Sequence, residues 1–505
     1  MTGSVITIPE RSTFFGHPRG LATLFFTEVW ERFSYYGMRA LLIVFMTTSV
    51  SAGGLGFAVP RAAAIYGTYT SMAYLMSLPG GWIADRVLGL RRAVLVGGVI
   101  IMVGHVCLTV PGLPFFYSGL ALIVTGTGLL KPNVSAMVGA LYDDEARRDA
   151  GYSIYYMGVN LGGFVAPLAT GYLAQSVGFR QVLVQVGIAP ESAWHWGFGM
   201  AAVGMLLGLV QYLRGARWLG DVGRAPVRSP TQTRGRPMKS MIVVLSLVAA
   251  VTVGWQARLS ITPELVADLF GVVLVGSAVG VFLWLFLANR WTAAERKGLA
   301  LVALFFVAAM LFWAGSEQAG STLNLFAQGQ TRAEVAGMSF PTTWLQSVNS
   351  LFIIALAPVF AWLWVRLGAR SPGSVVKLSL GLFFLAAGFV VMSAAGLAAA
   401  GGARVSPFWL VLTYFLHTIG ELCLSPVGLS AVSGLAPKRV LGLIMGIWFL
   451  ATSIGNYGAG RIAALYEVVP LPLLFGGCAM VALLGALGLY VTGRRMADEG
   501  HGRSM

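Results

Sequence analysis

The feature that most constrains the fold of this chain is a series of about fourteen apolar stretches, each long enough to cross a lipid bilayer as a helix. They lie at roughly 20–48, 60–83, 92–111, 114–140, 150–175, 195–213, 240–257, 265–288, 298–320, 341–367, 374–397, 406–433, 440–466 and 470–492. A soluble fold is excluded because the chain is 57% hydrophobic and only 10% charged, which leaves too little polar surface. The sequence therefore predicts an all-α membrane protein surrounded by a lipid bilayer.

Basic residues are concentrated in alternate loops between these stretches. Rich loops occur at 86–92, 214–239, 366–377 and 494–495, whereas the intervening loops hold scattered cations such as Arg180. By the positive-inside rule the rich loops are cytoplasmic, which predicts an even number of helices with both termini in the cytoplasm. The net charge of +15 thus reflects topology, and we expect no nucleic-acid partner.

Ionisable residues interrupt the first apolar stretch along one helix face. Glu28, Glu31, Arg32, Tyr35 and Arg39 follow the spacing of three and four residues that places side chains on a common face. An ionisable group at membrane depth is energetically unfavourable, so it marks an ion or substrate pathway by default. Two carboxylates beside one arginine can exchange partners as one of them takes up a proton. A structural ion-pair cluster that joins two helices is the alternative.

The same residues carry a resemblance to a known family. The run 28–36 resembles the Glu-x-x-Glu-Arg-Phe-x-Tyr-Tyr signature on the first helix of proton-dependent oligopeptide transporters, a branch of the major facilitator superfamily. Further runs match that family in the expected order, at 312–318, 346–349 and 420–428. The resemblance covers nearly the whole chain. It implies the prokaryotic type of this family and a multi-pass protein of the plasma membrane, which is the bacterial inner membrane.

The domain organisation follows from the one evident linker, the segment 214–239, which is rich in Arg, Pro, Ser and Thr. Six apolar stretches precede it and eight follow, whereas the superfamily needs two bundles of six. The resemblance implies that the surplus is an inserted two-helix hairpin. The predicted division is a cytoplasmic N-terminus at 1–19, an N-terminal six-helix bundle at 20–213, a cytoplasmic linker at 214–239, an inserted transmembrane helix pair at 240–297, a C-terminal six-helix bundle at 298–492 and a cytoplasmic tail at 493–505.

The loop after the second stretch, at 85–92, resembles a superfamily loop with the pattern Asp-Arg-x-x-Gly-Arg-Arg. It has one extra residue before the two arginines. We expect this loop to hold cytoplasmic helix ends together by charge pairing, and we assign it no binding role.

Polar side chains within the apolar stretches of the first half are candidate binding residues. Lys131 precedes Pro132 in the fourth stretch, where the missing backbone hydrogen bond would kink the helix and direct the ammonium group into a central cavity. A lysine that snorkels to the interface is the alternative. Asn160 is an amide between aromatic residues and glycines, and an interhelical hydrogen bond is a rival explanation for it.

The second half carries its own polar side chains. Glu317 lies near the outer end of the ninth stretch, in a run that resembles the family's Phe-Trp-x-x-x-Glu-Gln. Glu421 lies within the twelfth stretch with Ser425 four residues on, on the same helix face, in a run that resembles Gly-Glu-x-x-x-Ser-Pro-x-Gly. Asn349 matches an amide-bearing segment of the family. Trp448 is compatible either with a pocket aromatic or with helix packing.

The resemblance implies how these residues would bind a peptide. Arg32 and Lys131 would receive the peptide's carboxylate, and Asn160, Asn349 and Glu421 would receive its amino terminus. A zwitterion needs such a cationic pole and an anionic pole on opposite walls of one cavity. The remaining substrate contacts would come from Ser425 and from the aromatic residues Tyr35, Tyr36, Tyr74, Trp313 and Trp448.

The resemblance also implies how protons would be used. Glu28, Glu31, Arg32 and Glu317 would couple proton movement to transport, and Arg39 and Glu317 would pair across the two halves as an outer gate. The sequence therefore predicts a proton-coupled symporter that imports di- and tripeptides by alternating access. We expect it to act as a monomer, with protons as the coupling ion and no cofactor or metal.

Other functions remain open at this point. A drug exporter or an anion transporter would share the fold and the proton coupling. A membrane receptor or sensor is the alternative of a different class. An enzyme is not expected, because the sequence contains no His-Glu-x-x-His, no Walker loop and no paired Asp-rich metal motif.

Overall fold

The structure is a computed structural model that describes residues 13–224, 262–287 and 291–498. Within these residues the chain is built almost entirely from helices. In chain order they are α1 (Arg19–Thr47), α2 (Val59–Leu75), α3 (Ser77–Ile83), α4 (Leu90–Leu108), α5 (Leu113–Gly139), α6 (Glu145–Gln175), α7 (Val177–Gln185), α8 (Ala193–Gly215), α9 (Pro263–Leu287), α10 (Ala293–Ser316), α11 (Thr322–Gln330), α12 (Ser347–Leu367), α13 (Ser374–Ala398), α14 (Phe408–Leu435), α15 (Leu441–Ala463) and α16 (Leu471–Asp498). Two short antiparallel hairpins pair β1 (Thr13–Phe14) with β2 (His17–Pro18) and β3 (Glu334–Val335) with β4 (Met338–Ser339).

Among the described residues, nine helical segments are long and apolar enough to cross a membrane. Helix α1 is not one of the nine, since charged residues interrupt its apolar sequence. Every predicted apolar stretch that falls on described residues overlaps one or two of the helices, which confirms the all-α prediction. The predicted stretch 240–257 lies outside the described residues, as do most of the predicted linker and the ends of both predicted tails.

The predicted stretch 60–83 is two helices rather than one. Helix α2 ends at Leu75, and α3 begins at Ser77. Pro79 lies four residues after Leu75, and proline lacks the N–H that would bond the Leu75 carbonyl group while its ring crowds that group. The helix is therefore interrupted at this point, and a π-helical turn at Ala84–Leu88 then leads into α4.

The loop at 85–92 is bonded to the segment that follows α8. Arg91 donates from Nε to the carbonyl group of Val222 at 2.6 Å and from Nη2 to the carbonyl group of Gly220 at 2.6 Å. The backbone N–H of Arg91 donates to the carbonyl group of Gly223 at 3.0 Å. Backbone carbonyl groups after α8 therefore bind the Arg91 guanidinium, and Asp221 in the same segment interacts with it electrostatically, so the predicted charge pairing of this loop stays a prediction.

The described residues form two compact units. The first unit comprises 13–37, 76–166 and 198–224, and the second comprises 38–75, 167–197, 262–287 and 291–498. Helices α1 and α6 each contribute residues to both units. These ranges do not coincide with the predicted six-helix bundles, which are defined by sequence order and stay a prediction.

Each unit has its own apolar core. In the first unit Leu24, Leu130 and Met205 are buried together from α1, α5 and α8. In the second unit Phe312 and Phe389 belong to a larger buried cluster. Large apolar side chains also cover outward surfaces, above all on α9, as expected of helices that face lipid. Each unit also holds buried polar side chains, which are the candidate functional residues.

Candidate functional site

A buried charged cluster lies on α1 in the first unit. Glu28, Glu31 and Arg32 are each no more than 2% exposed. The Nε atom of Arg32 lies 3.1 Å from Oε1 of Glu28 and 2.5 Å from Oε2 of Glu31. One guanidinium is thus shared by two carboxylates. The helical spacing explains why Glu28 and Arg32 meet, since residues four apart are neighbours on a helix surface.

Tyr155 on α6 completes this cluster, and the sequence analysis missed it. Its hydroxyl group donates to Oε2 of Glu28 at 2.5 Å, and both residues are buried. The available signal was a tyrosine in an apolar stretch, because a buried hydroxyl usually finds a hydrogen-bond partner.

The charges of the cluster balance only when Lys131 is included. Lys131 lies on α5 and interacts electrostatically with Glu31. The two carboxylates then face two cations. The Oε1 atom of Glu31 is buried and accepts no hydrogen bond within the part of the chain that the structure describes. This oxygen is therefore the position in the cluster where an added proton would displace no existing hydrogen bond.

Aromatic rings surround the guanidinium of Arg32. Its Cζ atom lies 5.2 Å from the ring centroid of Tyr35 and 6.0 Å from that of Tyr36. Tyr35 is buried and Tyr36 is half-buried. These distances fall within the range of cation–π attraction. The predicted substrate residues Tyr35 and Tyr36 thus contact the predicted coupling residue Arg32.

Helices α1 and α6 pack closely beside the cluster. A Cβ atom at Gly162 would clash with the carbonyl oxygen of Val29, so this position requires glycine. Asn160, two residues earlier, is 5% exposed, and its Nδ2 donates to the carbonyl group of Tyr156 at 3.0 Å. One N–H of the amide is therefore used within its own helix.

A second buried charge pair lies in the second unit. Nη2 of Arg39 is 2.6 Å from Oε2 of Glu317, and Nε of Arg39 donates to the hydroxyl group of Tyr66 at 2.7 Å. Arg39 is 6% exposed and Glu317 is 5% exposed. The pair joins α1 to the short 3-10 turn Glu317–Gly320 that follows α10. Tyr66 on α2 is a further partner that the sequence analysis missed.

Neutral hydrogen bonds join the same segments of the second unit. The carbonyl group of Ala40 accepts from Nδ2 of Asn324 at 2.8 Å and from Nε2 of Gln346 at 3.3 Å. The hydroxyl groups of Ser71 on α2 and Ser453 on α15 lie 2.8 Å apart. Within this unit, α1 and α2 are therefore fastened to helices of the C-terminal part of the chain.

The predicted anionic pole lies on α14. Glu421 is 9% exposed, and Ser425 follows one turn later. Nδ2 of Asn349 on α12 donates to Oγ1 of Thr418 at 3.0 Å. Thr418 lies one turn before Glu421, so Asn349 and Glu421 are brought to the same segment of α14. Thr418 is a connecting residue that the sequence analysis missed.

The remaining predicted aromatic residues differ in exposure. Trp448 is 7% exposed, and its ring packs directly against Gly428 on α14. Trp313 is half-buried, with its ring centroid 5.6 Å from that of Phe312. Tyr74 is half-buried in the last turn of α2. Within the described residues, no three His, Cys, Asp or Glu side chains come together as a metal site would require.

Comparison with known proteins places this arrangement in context. The family model described as PTR2, POT family, matches residues 91–474. The chain is 40% identical to the peptide transporter YePEPT of Yersinia enterocolitica subsp. palearctica, over 98% of both chains. It is 36% identical to a di-/tripeptide transporter of Lactococcus lactis subsp. cremoris, over 95% of this chain and 94% of the relative.

Solved structures resemble the whole fold. The crystal structure of a peptide transporter POT in complex with sulfate superposes with a TM-score of 0.87 at 41% identity, over 96% of both chains. A POT family transporter in complex with a thioalcohol conjugated peptide superposes with a TM-score of 0.86 at 35% identity, over 96% of this chain and 98% of the other. These superpositions confirm the predicted major facilitator superfamily fold.

Proposed function

Because the chain belongs to the POT family, we propose that it is a proton-coupled symporter that imports di- and tripeptides by alternating access. The names of its relatives and the conjugated peptide bound by a solved neighbour support a peptide substrate. The protein spans the plasma membrane several times, and its basic loops support cytoplasmic termini. It carries out transport without a catalysed reaction, as a monomer and with protons as the coupling ion.

The observation that carries this proposal is the Arg32 guanidinium held between two buried carboxylates. With all groups ionised, Glu28 and Glu31 balance Arg32 and Lys131. A proton on Glu31 removes one negative charge, so the cluster becomes net positive and attracts an anion. The contact between Glu31 and Arg32 weakens at the same time, and the arginine becomes available to a peptide carboxylate.

The substrate is a short zwitterion with two recognised ends. Lys131 and Arg32 hold its carboxylate through charge-assisted hydrogen bonds. Its ammonium group is held by Glu421, with Asn349 and the amide oxygen of Asn160. Broad tolerance for peptide side chains follows from apolar pockets, which discriminate weakly between similar groups. These pockets and nearby contacts are provided by Tyr35, Tyr36, Tyr74, Trp313, Ser425 and Trp448.

The gate of the transport cycle is the pair of Arg39 and Glu317. The short ion pair and the bond from Arg39 to Tyr66 favour the closed gate. A proton on Glu317 weakens the ion pair, which lowers the barrier to opening. Opening also breaks the hydrogen bonds between Ser71 and Ser453.

The test is uptake of labelled dialanine by liposomes that contain the purified protein. A membrane potential of about 100 mV supplies roughly 2.3 kcal/mol per charge, which is about fiftyfold accumulation. We expect accumulation when the outside is acidic and its collapse when an uncoupler is added. Uptake that is equal with and without a proton gradient would exclude symport. Transport of a lipophilic cation in place of dialanine would favour the exporter alternative.

A further inference from the structure

A groove of about 430 Å³ lies on the first unit between the beginning of α1 and the end of α8, and none of its lining residues belongs to the cluster around Arg32. Its volume is within the range of small-ligand sites. We call it the arginine groove, and its lining residues are Arg19, Ala22, Thr23, Trp30, Leu207, Val210, Gln211, Arg214, Gly215, Arg217 and Trp218. The three arginines lie at one end. Trp30 is eleven residues beyond Arg19, or about 16 Å along the helix axis, so the other end is apolar.

The two helices that form the groove are fixed to each other. The hydroxyl group of Thr23 donates to the carbonyl group of Gly215 at 3.1 Å. One turn deeper, the hydroxyl group of Thr27 donates to the carbonyl group of Thr23 at 2.7 Å, and its oxygen lies 3.2 Å from Oε1 of Gln211. These two contacts hold α1 against α8, so the groove between them is a preformed feature of the unit.

The arginines at the mouth carry uncompensated charge. Arg19, Arg214 and Arg217 are exposed, and none of them forms an ion pair with a carboxylate within the described residues. The guanidinium groups of Arg19 and Arg217 lie 3.7 Å and 4.8 Å from the ring centroid of Trp218. Asp221, close by in sequence, is paired with Arg224 at 2.7 Å. The mouth is therefore a concentrated positive site for an anion.

The rest of the groove suits an apolar chain. Leu207 lines it and is 43% exposed, and the neighbouring Val203 and Leu206 on α8 are 47% and 48% exposed. Such apolar exposure indicates a surface that faces lipid. Tryptophan rings are typical of the boundary between headgroups and hydrocarbon, and Trp30 and Trp218 both line the groove.

We propose that the arginine groove binds an anionic phospholipid. The three guanidinium groups hold the phosphate of the headgroup, and one acyl chain follows the apolar wall past Ala22, Trp30 and Val210. Charge complementarity excludes a zwitterionic phospholipid as the preferred occupant, because its headgroup brings its own cation. In the proposed orientation the lipid belongs to the cytoplasmic leaflet. The inference does not depend on the proposed peptide substrate.

The test measures lipid binding to full-length protein by native mass spectrometry, with phosphatidylglycerol and phosphatidylcholine as probes. We expect tighter binding of phosphatidylglycerol. Substitution of Arg19, Arg214 or Arg217 by Gln should weaken it about fivefold each, and all three together about a hundredfold. A matched triple variant, Arg296→Gln, Arg370→Gln and Arg495→Gln, removes three exposed arginines elsewhere and should bind as the wild type does.

A second variant distinguishes lipid binding in the groove from attraction of the lipid to exposed positive charge. Ala22→Phe keeps all three arginines and fills the groove, so it should also weaken phosphatidylglycerol binding. Glycerol 3-phosphate has the anionic group without acyl chains and should not displace the lipid at equal concentration. The proposal would be overturned if the protein bound both lipids equally, or if the matched triple variant lost as much binding as the groove variant. It would also be overturned by unchanged binding in Ala22→Phe, or by displacement of the lipid by glycerol 3-phosphate. Dialanine uptake, measured separately, reports on the transport proposal.

Discussion

The hydroxyl group of Tyr155 donates a hydrogen bond of 2.5 Å to one carboxylate oxygen of Glu28, while the other oxygen lies 3.1 Å from Nε of Arg32. Glu28 is thus held from two sides. Glu31 also contacts Arg32, but its Oε1 atom accepts no hydrogen bond from any described residue. The two carboxylates are therefore unequal, and we expect Glu31 to take up the coupling proton while Glu28 holds the arginine in place.

Tyr155→Phe should impair proton coupling while all charged groups of the cluster remain in place. A hydrogen bond to a charged group contributes about 1.5–3 kcal/mol, so gradient-driven dialanine uptake should fall by about tenfold or more. The matched control is Tyr172→Phe, on the same helix, which removes a hydroxyl group from a residue that is 47% exposed. Uptake by Tyr155→Phe equal to that of the control would contradict the role given to this bond.

Replacement of Glu28 or Glu31 by Gln should separate accumulation from exchange. Glu31→Gln removes the carboxylate that takes up the proton, and Glu28→Gln weakens the hold on Arg32, so acid-driven accumulation should be abolished in both variants. Counterflow exchange needs no net proton movement and should persist at least in part. Both activities are measured in the same liposomes. Full acid-driven accumulation in both variants would rule out the coupling role of this pair.

The pair of Arg39 and Glu317 should behave as a buried ion pair. Glu317→Gln leaves a buried cation with a neutral partner, which typically destabilises a protein by about 3–5 kcal/mol. Replacing both Arg39 and Glu317 by Met should lower the thermal unfolding temperature less than replacing either one alone by Met. The control is Asp268→Asn, which breaks an exposed pair with Arg461 and should cost less than about 1 kcal/mol. Additive losses in the double variant would contradict the pairing.

A pH-dependent contact is expected at the β1–β2 hairpin, outside the membrane-spanning helices. Nδ1 of His17 lies 2.9 Å from the hydroxyl group of Tyr142. Burial, and next the charge of Arg147, lower the pKa of His17 below its ordinary value of 6.5. The folded form disfavours the protonated ring. His17 therefore contributes its full share to the free energy of unfolding above about pH 6.5, and this contribution is lost as the pH falls toward the pKa of His17 in the folded protein.

The measurement is an NMR titration of labelled histidine in the purified protein. The His17 resonance should titrate below pH 6.5, and Arg147→Gln should move the midpoint upward but leave it depressed, because burial is the larger cause. A midpoint at or above 6.5 in the unmodified protein would show that the ring is not desolvated.

Residues that share a helix face were predictable from the sequence. The spacing of Glu28, Glu31 and Arg32 follows the helical period, and the structure brings these three groups together. Helix positions were also predictable, because stretches long enough to span a bilayer are defined by composition. The break after Leu75 could also have been predicted, since Pro79 lies four residues on, although the predicted stretch 60–83 ran through it.

Partners on other helices were not predictable from the periodicity. Tyr155, Tyr66 and Thr418 each bond a predicted site residue from a different helix. Periodicity indicates which side chains share a face, but it does not indicate which other helix that face meets. For the same reason the partners of Arg91 were not predicted. They are backbone carbonyl groups more than a hundred residues away, and a backbone group leaves no side-chain pattern in the sequence.

The most direct test of the account is the dependence of uptake on the two ends of the peptide. Liposomes with wild-type protein and an acidic exterior should accumulate dialanine, while N-acetylated and C-amidated dialanine should each be taken up far less. Lys131→Ala should weaken dialanine binding at least a hundredfold, since it removes the half-buried cation that partners the peptide carboxylate, and such a loss costs about 3 kcal/mol. Equal uptake of the free and blocked peptides, with no effect of Lys131→Ala, would contradict recognition of a zwitterion by opposite poles.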